Sequence, residues 1–420
     1  MSLDWLDSEL QRLSDRDLLR ARRAIRPLGD GWCEIDGRRC RNFASNDYLN
    51  LASDPRVLDA AQRAMSEGGA GATASALVCG RTIWHERLEQ VIADFEQTDA
   101  AVLFPTGYAA NVGTIAALVR RNDVVFCDRL NHASLVDGCR LSGAKLRVYR
   151  HDRLDVLERE LAKVRNETSR DRRPTSPAID ADAAVGADAA PDADAQTSDP
   201  SRLWIVTDSV FSMDGDLAPL SDLCDLAEQF GAELIVDEAH ATGVFGEGGR
   251  GVCELTETES RVAVRVGTLS KAVGCLGGFV ACSGGLREWL WNSARTQMFS
   301  TALPPSVCAA ASTSLRIIAE EPQRRARLHT LSHRLIEQLR AAGRSVPETV
   351  AGPIVPVLLG DAQAAVHAAT RLFNSGFLVG AIRPPTVPQQ TSRLRVCVNA
   401  AFEEADIDEL AAAISSLAGC

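Results

Sequence analysis

Between about residues 48 and 300 the chain alternates two hydrophobic patterns. Short runs are mostly apolar: "AVLFP" (101–105), "VVFCD" (124–128), "KLRVYR" (145–150), "LWIVTD" (203–208), "ELIVDE" (233–238), "VAVRVGT" (262–268) and "FVACS" (279–283). Runs of this length and kind predict parallel strands covered on both faces. Between them, apolar residues recur every three or four positions. In "HERLEQVIADFEQ", for example, Leu88, Val91, Ile92 and Phe95 share one helical face. The alternation predicts an α/β layer fold with a mainly parallel sheet.

The two ends follow other patterns. Residues 3 to about 26 predict an amphipathic helix with Leu3, Leu6, Leu10 and Leu13 on one side and an arginine-rich end, "RARRAIR", suited to a helix C-terminus. "WCEIDGRRCRNF" predicts a hairpin turning at Asp36-Gly37. After about residue 305 comes a long helical region, then "IVPVLLG", a helix "AQAAVHAATRLFNSG", strands "LVGAI" and "RLRVCVNA", and a last helix "EADIDELAAAISSLAG". That order predicts a smaller C-terminal α+β domain. The expected division is 1–47 as an N-terminal helix and hairpin segment, 48–305 as the large domain, and 306–420 as the small one. Residues 166–202, rich in Ala, Asp and Pro, interrupt the pattern and are expected to form a disordered acidic surface insertion. A functional acidic tail is the less favoured alternative.

Composition changes this picture little. The formal net charge is -11, much of it in that acidic stretch, so no nucleic-acid partner is expected. Twelve cysteines are scattered without a C-x-x-C or a Cys/His cluster, which predicts reduced thiols and no metal site. No apolar run approaches the ~20 residues that cross a bilayer, and "MSLDWLDSEL" lacks a signal pattern. The expectation is a cytoplasmic protein with no membrane contact.

Candidate chemistry sits at strand ends, where open parallel sheets bind ligands. Asp237 and His240 follow one strand; Thr268, Ser270 and Lys271 follow another. Thr106, Gly107 and Tyr108 stand before a helix, Asp208 and Ser212 close a fourth strand, and Asp128, His132 and Ser134 a fifth. A glycine where a helix begins suits an anion. Asp237 at the end of an apolar strand needs a cationic partner, and a protonated ring nitrogen is one. His132 can stack on a flat ring. Of 45 Lys and Arg residues only Lys145, Lys163 and Lys271 are lysine. Lysine can form an imine where arginine cannot, so Lys271 points to a nucleophilic amine. Taken singly, a strand-end Asp is most often a cap and a lone His a surface residue; convergence at five strand ends outweighs those readings. "GEGGRG" (246–251) lacks the strand-turn-helix setting of a dinucleotide loop, and "DGD" (214–216) is better explained as a turn than as a metal site.

Together "SNDYLNL", "FPTGYAAN", "NHAS", "FSMDGD", "VDEAHATGVFGEGGRG", "TLSKAVG" and "AIRPPTVP" resemble the α-oxoamine synthases, pyridoxal 5'-phosphate enzymes of the aspartate-aminotransferase-like fold (fold type I). The likeness spans nearly the whole chain apart from 166–202. It implies that Lys271 holds the cofactor aldehyde, Asp237 pairs with its ring nitrogen, His132 stacks on the ring, and His240 and Ser212 lie near its hydroxyl. Gly107, Tyr108 and Thr268 would hold cofactor and phosphate. Arg383 would take the amino-acid carboxylate, with Thr386 and Arg20 as further substrate contacts, and His132 would also hydrogen-bond the carboxylate or the thioester oxygen. "AIRPPTVP" and "RLRVCVNA" are most similar to the family member that joins L-alanine to a pimeloyl thioester with loss of carbon dioxide, on coenzyme A or a carrier protein. The resemblance also implies a homodimer with the site at the interface. The alternatives are a sister reaction, such as glycine C-acetyltransferase, or a non-catalytic partner subunit on the same fold. Two departures stand out: Ala74 and Ser75 in "GGAGATASALVCG", where the family is glycine-rich, and Ala272, where glycine often follows the lysine.

Overall fold

The computed structural model describes residues 3–20, 22–171 and 201–417. The central part of the acidic stretch therefore lies outside the described residues. The helix before it, Leu154–Asp171, runs past position 166, so the expected start of the insertion falls too early.

The N-terminal helix is shorter than its pattern suggests. It spans Trp5–Asp15, buries none of its residues, and stops before Asp17, whose φ is +53°. Apolar spacing continues beyond this point, but without tertiary packing a short helix has little to sustain it against a run of like charges. The chain then enters β1 (Arg26–Gly29), β2 (Trp32–Ile35) and β3 (Arg38–Asn42). The β2–β3 hairpin turns at Asp36-Gly37 as expected, both with positive φ.

The main sheet holds β4 (Ala100–Phe104), β5 (Val124–Asp128), β6 (Lys145–Tyr149), β7 (Leu203–Asp208), β8 (Ala232–Asp237), β9 (Val264–Thr268) and β10 (Gly278–Cys282). Their order is β4-β10-β9-β8-β7-β5-β6. Within β5, Val124 and Phe126 enter one core while Val125 and Cys127 enter another, and β7 does the same. Apolar residues on both faces are what helices on both sides require. β10 alone runs antiparallel to its neighbours. The loop 269–277 that joins it to β9 is too short for the crossover that a parallel pair needs. That loop carries Lys271.

The C-terminal region adds β11 (Ile354–Gly360), β12 (Phe377–Leu378), β13 (Gly380–Ile382) and β14 (Ser392–Cys397). "LVGAI" is divided between two sheets rather than forming one strand. β12 pairs in parallel with β3 of the N-terminal hairpin, and β13 joins the sheet β11-β14-β13. The helix Pro305–Glu320 packs on the helix Pro55–Gly68 of the preceding region.

Candidate active site

Parallel register sets the site. Asp208 and Asp237 are direct partners at the ends of β7 and β8, and Gly278 pairs with both Phe104 and Thr268. Several chemical side chains therefore leave the sheet at one edge.

Lys271 lies just past β9 on a braced loop. Gly274 N–H donates to the Lys271 carbonyl (2.8 Å), Cys275 N–H to Leu269 O (2.7 Å), and Ala272 and Val273 are buried. Gly274 has φ +74°, and a side chain there would lie 2.5 Å from the backbone nitrogen of Ala52. Ala272 packs its methyl group toward Gly243, so the departure from glycine is absorbed in the core. Burial lowers the Lys271 amine to about 8, against the opposing pull of Asp237 and Asp208. No hydrogen bond or ion pair engages that amine among the described residues.

Asp237 is held by Ala239 N–H at Oδ1 (2.7 Å) and by Asn111 Nδ2 at Oδ2 (2.6 Å). Asn111 also donates to Ser134 Oγ (2.9 Å), whose hydroxyl lies 2.7 Å from His132 Nδ1. Ser134 N–H donates to the same nitrogen (3.3 Å), making His132 the cap of the helix Ala133–Leu141. With Nδ1 accepting, the His132 proton belongs on Nε2. Burial lowers the His132 pKa, consistent with a neutral ring. Its backbone N–H donates to Asp208 Oδ2 (2.6 Å). Burial, and then Asp237 beside it, push the Asp208 carboxyl well above its usual range. A continuous polar chain thus runs from Asp237 through Asn111 and Ser134 to His132.

His240 is buried and kept neutral by burial, with Lys271 and Arg395 adding to the effect. Its Nδ1 lies 2.8 Å from the Tyr48 hydroxyl. Arg395 is buried beside them, donating to Ser212 O (2.6 Å) and Asn46 Oδ1 (3.1 Å). Ser212 thus enters the cluster through its carbonyl.

At the other end, Thr106 caps the helix Gly107–Leu118 by accepting from Ala109 N–H (3.0 Å). A side chain at position 107 would crowd Thr268 Oγ1 at 3.1 Å. Thr268 Oγ1 donates to Gly277 O (2.9 Å) and lies 2.8 Å from Ser270 Oγ, so its hydrogen is committed to the loop while Ser270 is exposed. Tyr108 is half-exposed and donates to Asp137 (2.7 Å).

Of the four expected substrate contacts, the three other than His132 lie on the N-terminal arm and the segment after β13. Arg20 donates to Thr386 Oγ1 (3.1 Å), and Arg383 donates to the Leu19 carbonyl (2.9 Å). Burial, and then the charge of Arg20, lower the Arg383 pKa, and its buried Nε has no partner among the described residues. Two like charges drawn together with a spare donor make a receptor for an anion.

A lysine amine without a partner, an anchored carboxylate, a neutral imidazole and a glycine-headed helix form a donor set that fits pyridoxal phosphate. The model for "Aminotransferase class I and II" matches residues 38–414. An 8-amino-7-oxononanoate synthase from Anaeromyxobacter dehalogenans strain 2CP-1 is 43% identical over 99% of this chain and 96% of its own. The chain belongs to the α-oxoamine synthases of the class I and II aminotransferase family. An 8-amino-7-oxononanoate synthase 2 from Bacillus subtilis strain 168 is 40% identical over 98% of this chain and 96% of its own. Among solved structures, a serine palmitoyltransferase from S. paucimobilis, determined with a PLP–myriocin adduct, is 30% identical, covers 99% of this chain and 98% of its own, and superimposes with TM-score 0.86. An 8-amino-7-oxononanoate synthase from Francisella tularensis is 27% identical over 89% of this chain and 96% of its own, with TM-score 0.69. As an α-oxoamine synthase the chain is a pyridoxal-phosphate acyltransferase of fold type I.

Sequence reasoning passed over Asn111, Tyr48, Asn46 and Arg395. Asn111 left one visible signal: it is the one amide in the otherwise apolar helix "GYAANVGTIAAL". Arg395 left none, since it alternates with apolar residues as an ordinary strand residue would. "GEGGRG" proves structural: Glu254 accepts from Gly248 and Arg250 N–H, and Glu238 from Val252 and Cys253 N–H.

Proposed function

We propose that the chain condenses L-alanine with a pimeloyl thioester to give 8-amino-7-oxononanoate, carbon dioxide and the free thiol, a step of biotin biosynthesis. The observation that carries the reaction class is the partnerless Lys271 amine beside an Asp237 fixed by two donors. The substrates follow from the names of full-length relatives.

When bound, pyridoxal phosphate supplies an electron sink for the pair left on the amino acid's α-carbon. Lys271 gives the site a base: an amine near 8 is about one-tenth neutral at pH 7. Asp237 would pair with the ring nitrogen of the bound cofactor, with its reorganisation limited by Ala239 N–H and Asn111. His132 presents Nε2–H as a donor to a substrate oxygen, because its other nitrogen is occupied. The new bond joins the alanine α-carbon to the thioester carbonyl; the thiol and carbon dioxide leave, and a proton replaces the carboxyl group.

Two arginines compete for the alanine carboxylate. Arg395 is favoured over Arg383 because it is buried and its charge acts on Lys271 and His240. Arg20 and Arg383 then suit an anionic group of the acyl donor. Conservative lysine variants separate the two: Arg395→Lys should raise the KM for L-alanine, and Arg383→Lys that for the thioester.

Leu77, Val78, Ile83, Leu276 and Phe299 are exposed around the Lys271 loop and the Ser75–Thr301 bridge. This apolar rim supports a homodimer closing over the site, which sedimentation would reveal.

The decisive assay measures carbon dioxide release from L-alanine, glycine and L-serine, each with pimeloyl, acetyl, succinyl and palmitoyl thioesters on coenzyme A and, for pimeloyl, on a carrier protein. L-Alanine with pimeloyl should lead by at least about tenfold. Preference for glycine or serine would replace this reading with a sister reaction.

A further inference from the structure

One half-buried histidine near the site has no part in the chemistry above. His151 follows β6, and its two ring nitrogens face different carboxylates. Nδ1 lies 3.2 Å from Asp128 Oδ2, and Nε2 lies 3.2 Å from Asp216 Oδ2. The ring stacks on Phe211, with centroids 4.1 Å apart and planes 19° from parallel. A carboxylate only accepts, so both nitrogens must carry protons for both bonds to exist. The bridge requires an imidazolium.

The two carboxylates belong to the two segments that deliver His132 and Ser212. Asp128 Oδ1 accepts from Leu130 N–H (2.7 Å), at the start of the loop leading to His132. Asp216 closes the 210–217 turn, where Phe211 N–H donates to Asp216 O (3.0 Å) and Val210 bridges Leu217. On its far side the turn is gripped from β14: Arg393 binds Met213 O (3.0 Å) and Asp214 Oδ1 (2.5 Å), and Arg395 binds Ser212 O. On its near side Asp216 depends on His151, because Asp216 Oδ1 is buried with no partner among the described residues.

We propose that His151 is a positioning residue that, as an imidazolium, ties the Ser212 turn to the His132 loop and so fixes the spacing between these two walls of the site. It rests on the function proposed above and adds to it a charge-dependent support outside the reacting atoms.

The groups facing the ring are Asp128 on β5, Asp216 on the turn and Asp152 next along the chain; all are acidic. Burial by itself would lower the His151 pKa, but the bonds and charges of Asp128 and Asp216 outweigh it and raise it to about 9. A raised folded pKa means the tie is fully present below about pH 6.5, the usual histidine value, and is lost as pH rises through about 9.

The test uses the cofactor-loaded full chain and two variants, His151→Gln and Asp216→Asn, singly and together. Hydrogen exchange is the first readout. In His151→Gln, protection of residues 210–217 and 129–132 should fall about tenfold at pH 7.5. In the wild type that protection should drop between pH 8 and 10, and the variant should show no such step. Turnover should fall about tenfold in each single variant, with the L-alanine KM changed less than threefold, and the double variant should be no worse than the weaker single by more than twofold. Two results would overturn the proposal: unchanged protection in both segments with only a lowered Tm, or a double-variant loss equal to the product of the single losses. If the loaded wild type makes no 8-amino-7-oxononanoate, the proposed function fails, while the exchange result still decides the role of His151.

Discussion

The Lys271–Asp237 pocket and the Arg20–Thr386 arm both hold groups proposed to meet substrate, yet they are built differently. The pocket stands on strand ends whose register is set by main-chain pairing, and both carboxylate oxygens of Asp237 have fixed donors. The arm follows a helix that buries nothing, and two long-range hydrogen bonds hold it, Arg20 to Thr386 and Arg383 to the Leu19 carbonyl. A rigid pocket suits chemistry, where small displacements are costly. An exposed arm suits binding, where charge matters more than exact placement.

That contrast can be broken or sharpened by substitution. The largest effect should come from Lys271→Ala, which removes the amine and should cut turnover by about 10³-fold or more in the carbon dioxide assay. Asp237→Asn removes the charge but keeps the shape and should cost about 10²–10³-fold, with weaker cofactor binding on spectroscopic titration. Asn111→Ala leaves Asp237 and Ser134 each short of a donor and should cost about 10–100-fold in turnover with little change in KM. If that loss appeared in KM alone, the polar chain would be a binding feature and the contrast would fail. Arg20→Ala and Arg383→Ala should each raise the thioester KM about tenfold and leave turnover within about threefold. An equal loss of turnover in those variants would place the arm in the chemistry after all.

The smallest effect concerns stability. The Lys271 amine falls from 10.5 to about 8 in the folded chain. Between those values the unfolded chain binds more protons, so stability rises with pH there, and the buried amine is a cost at lower pH. Lys271→Met should therefore raise the Tm of the cofactor-free chain by about 1–3 °C at pH 7. The gain should fade as pH approaches about 10.5. This slope is opposite to that expected from His151, so the two groups can be told apart by substitution.

Much of the sheet was legible because both faces of its inner strands are largely apolar, and continuous apolar runs need no partner to be recognised; the edge strand β6 is the exception. β5 and β7 have the expected limits, and the remaining strands of that sheet shift by one or two residues. The N-terminal helix was overextended because periodicity records where apolar residues fall, not whether anything covers them. "LVGAI" has the pattern of one strand yet is split between two sheets, because local pattern does not say which sheet a residue joins.

The sequence by itself determined which side chains stand at strand ends, since strand limits follow from local hydrophobic pattern and ligands gather at that edge. It also determined that one lysine stands among arginines after the β9 run. Tertiary structure alone decided how those groups are held. Asn111 meets Asp237 across 126 positions, Tyr48 meets His240 across 192, and Arg395 reaches Asn46 across 349. Hydrogen bonds over such separations depend on how whole elements pack, and no local pattern encodes that distance.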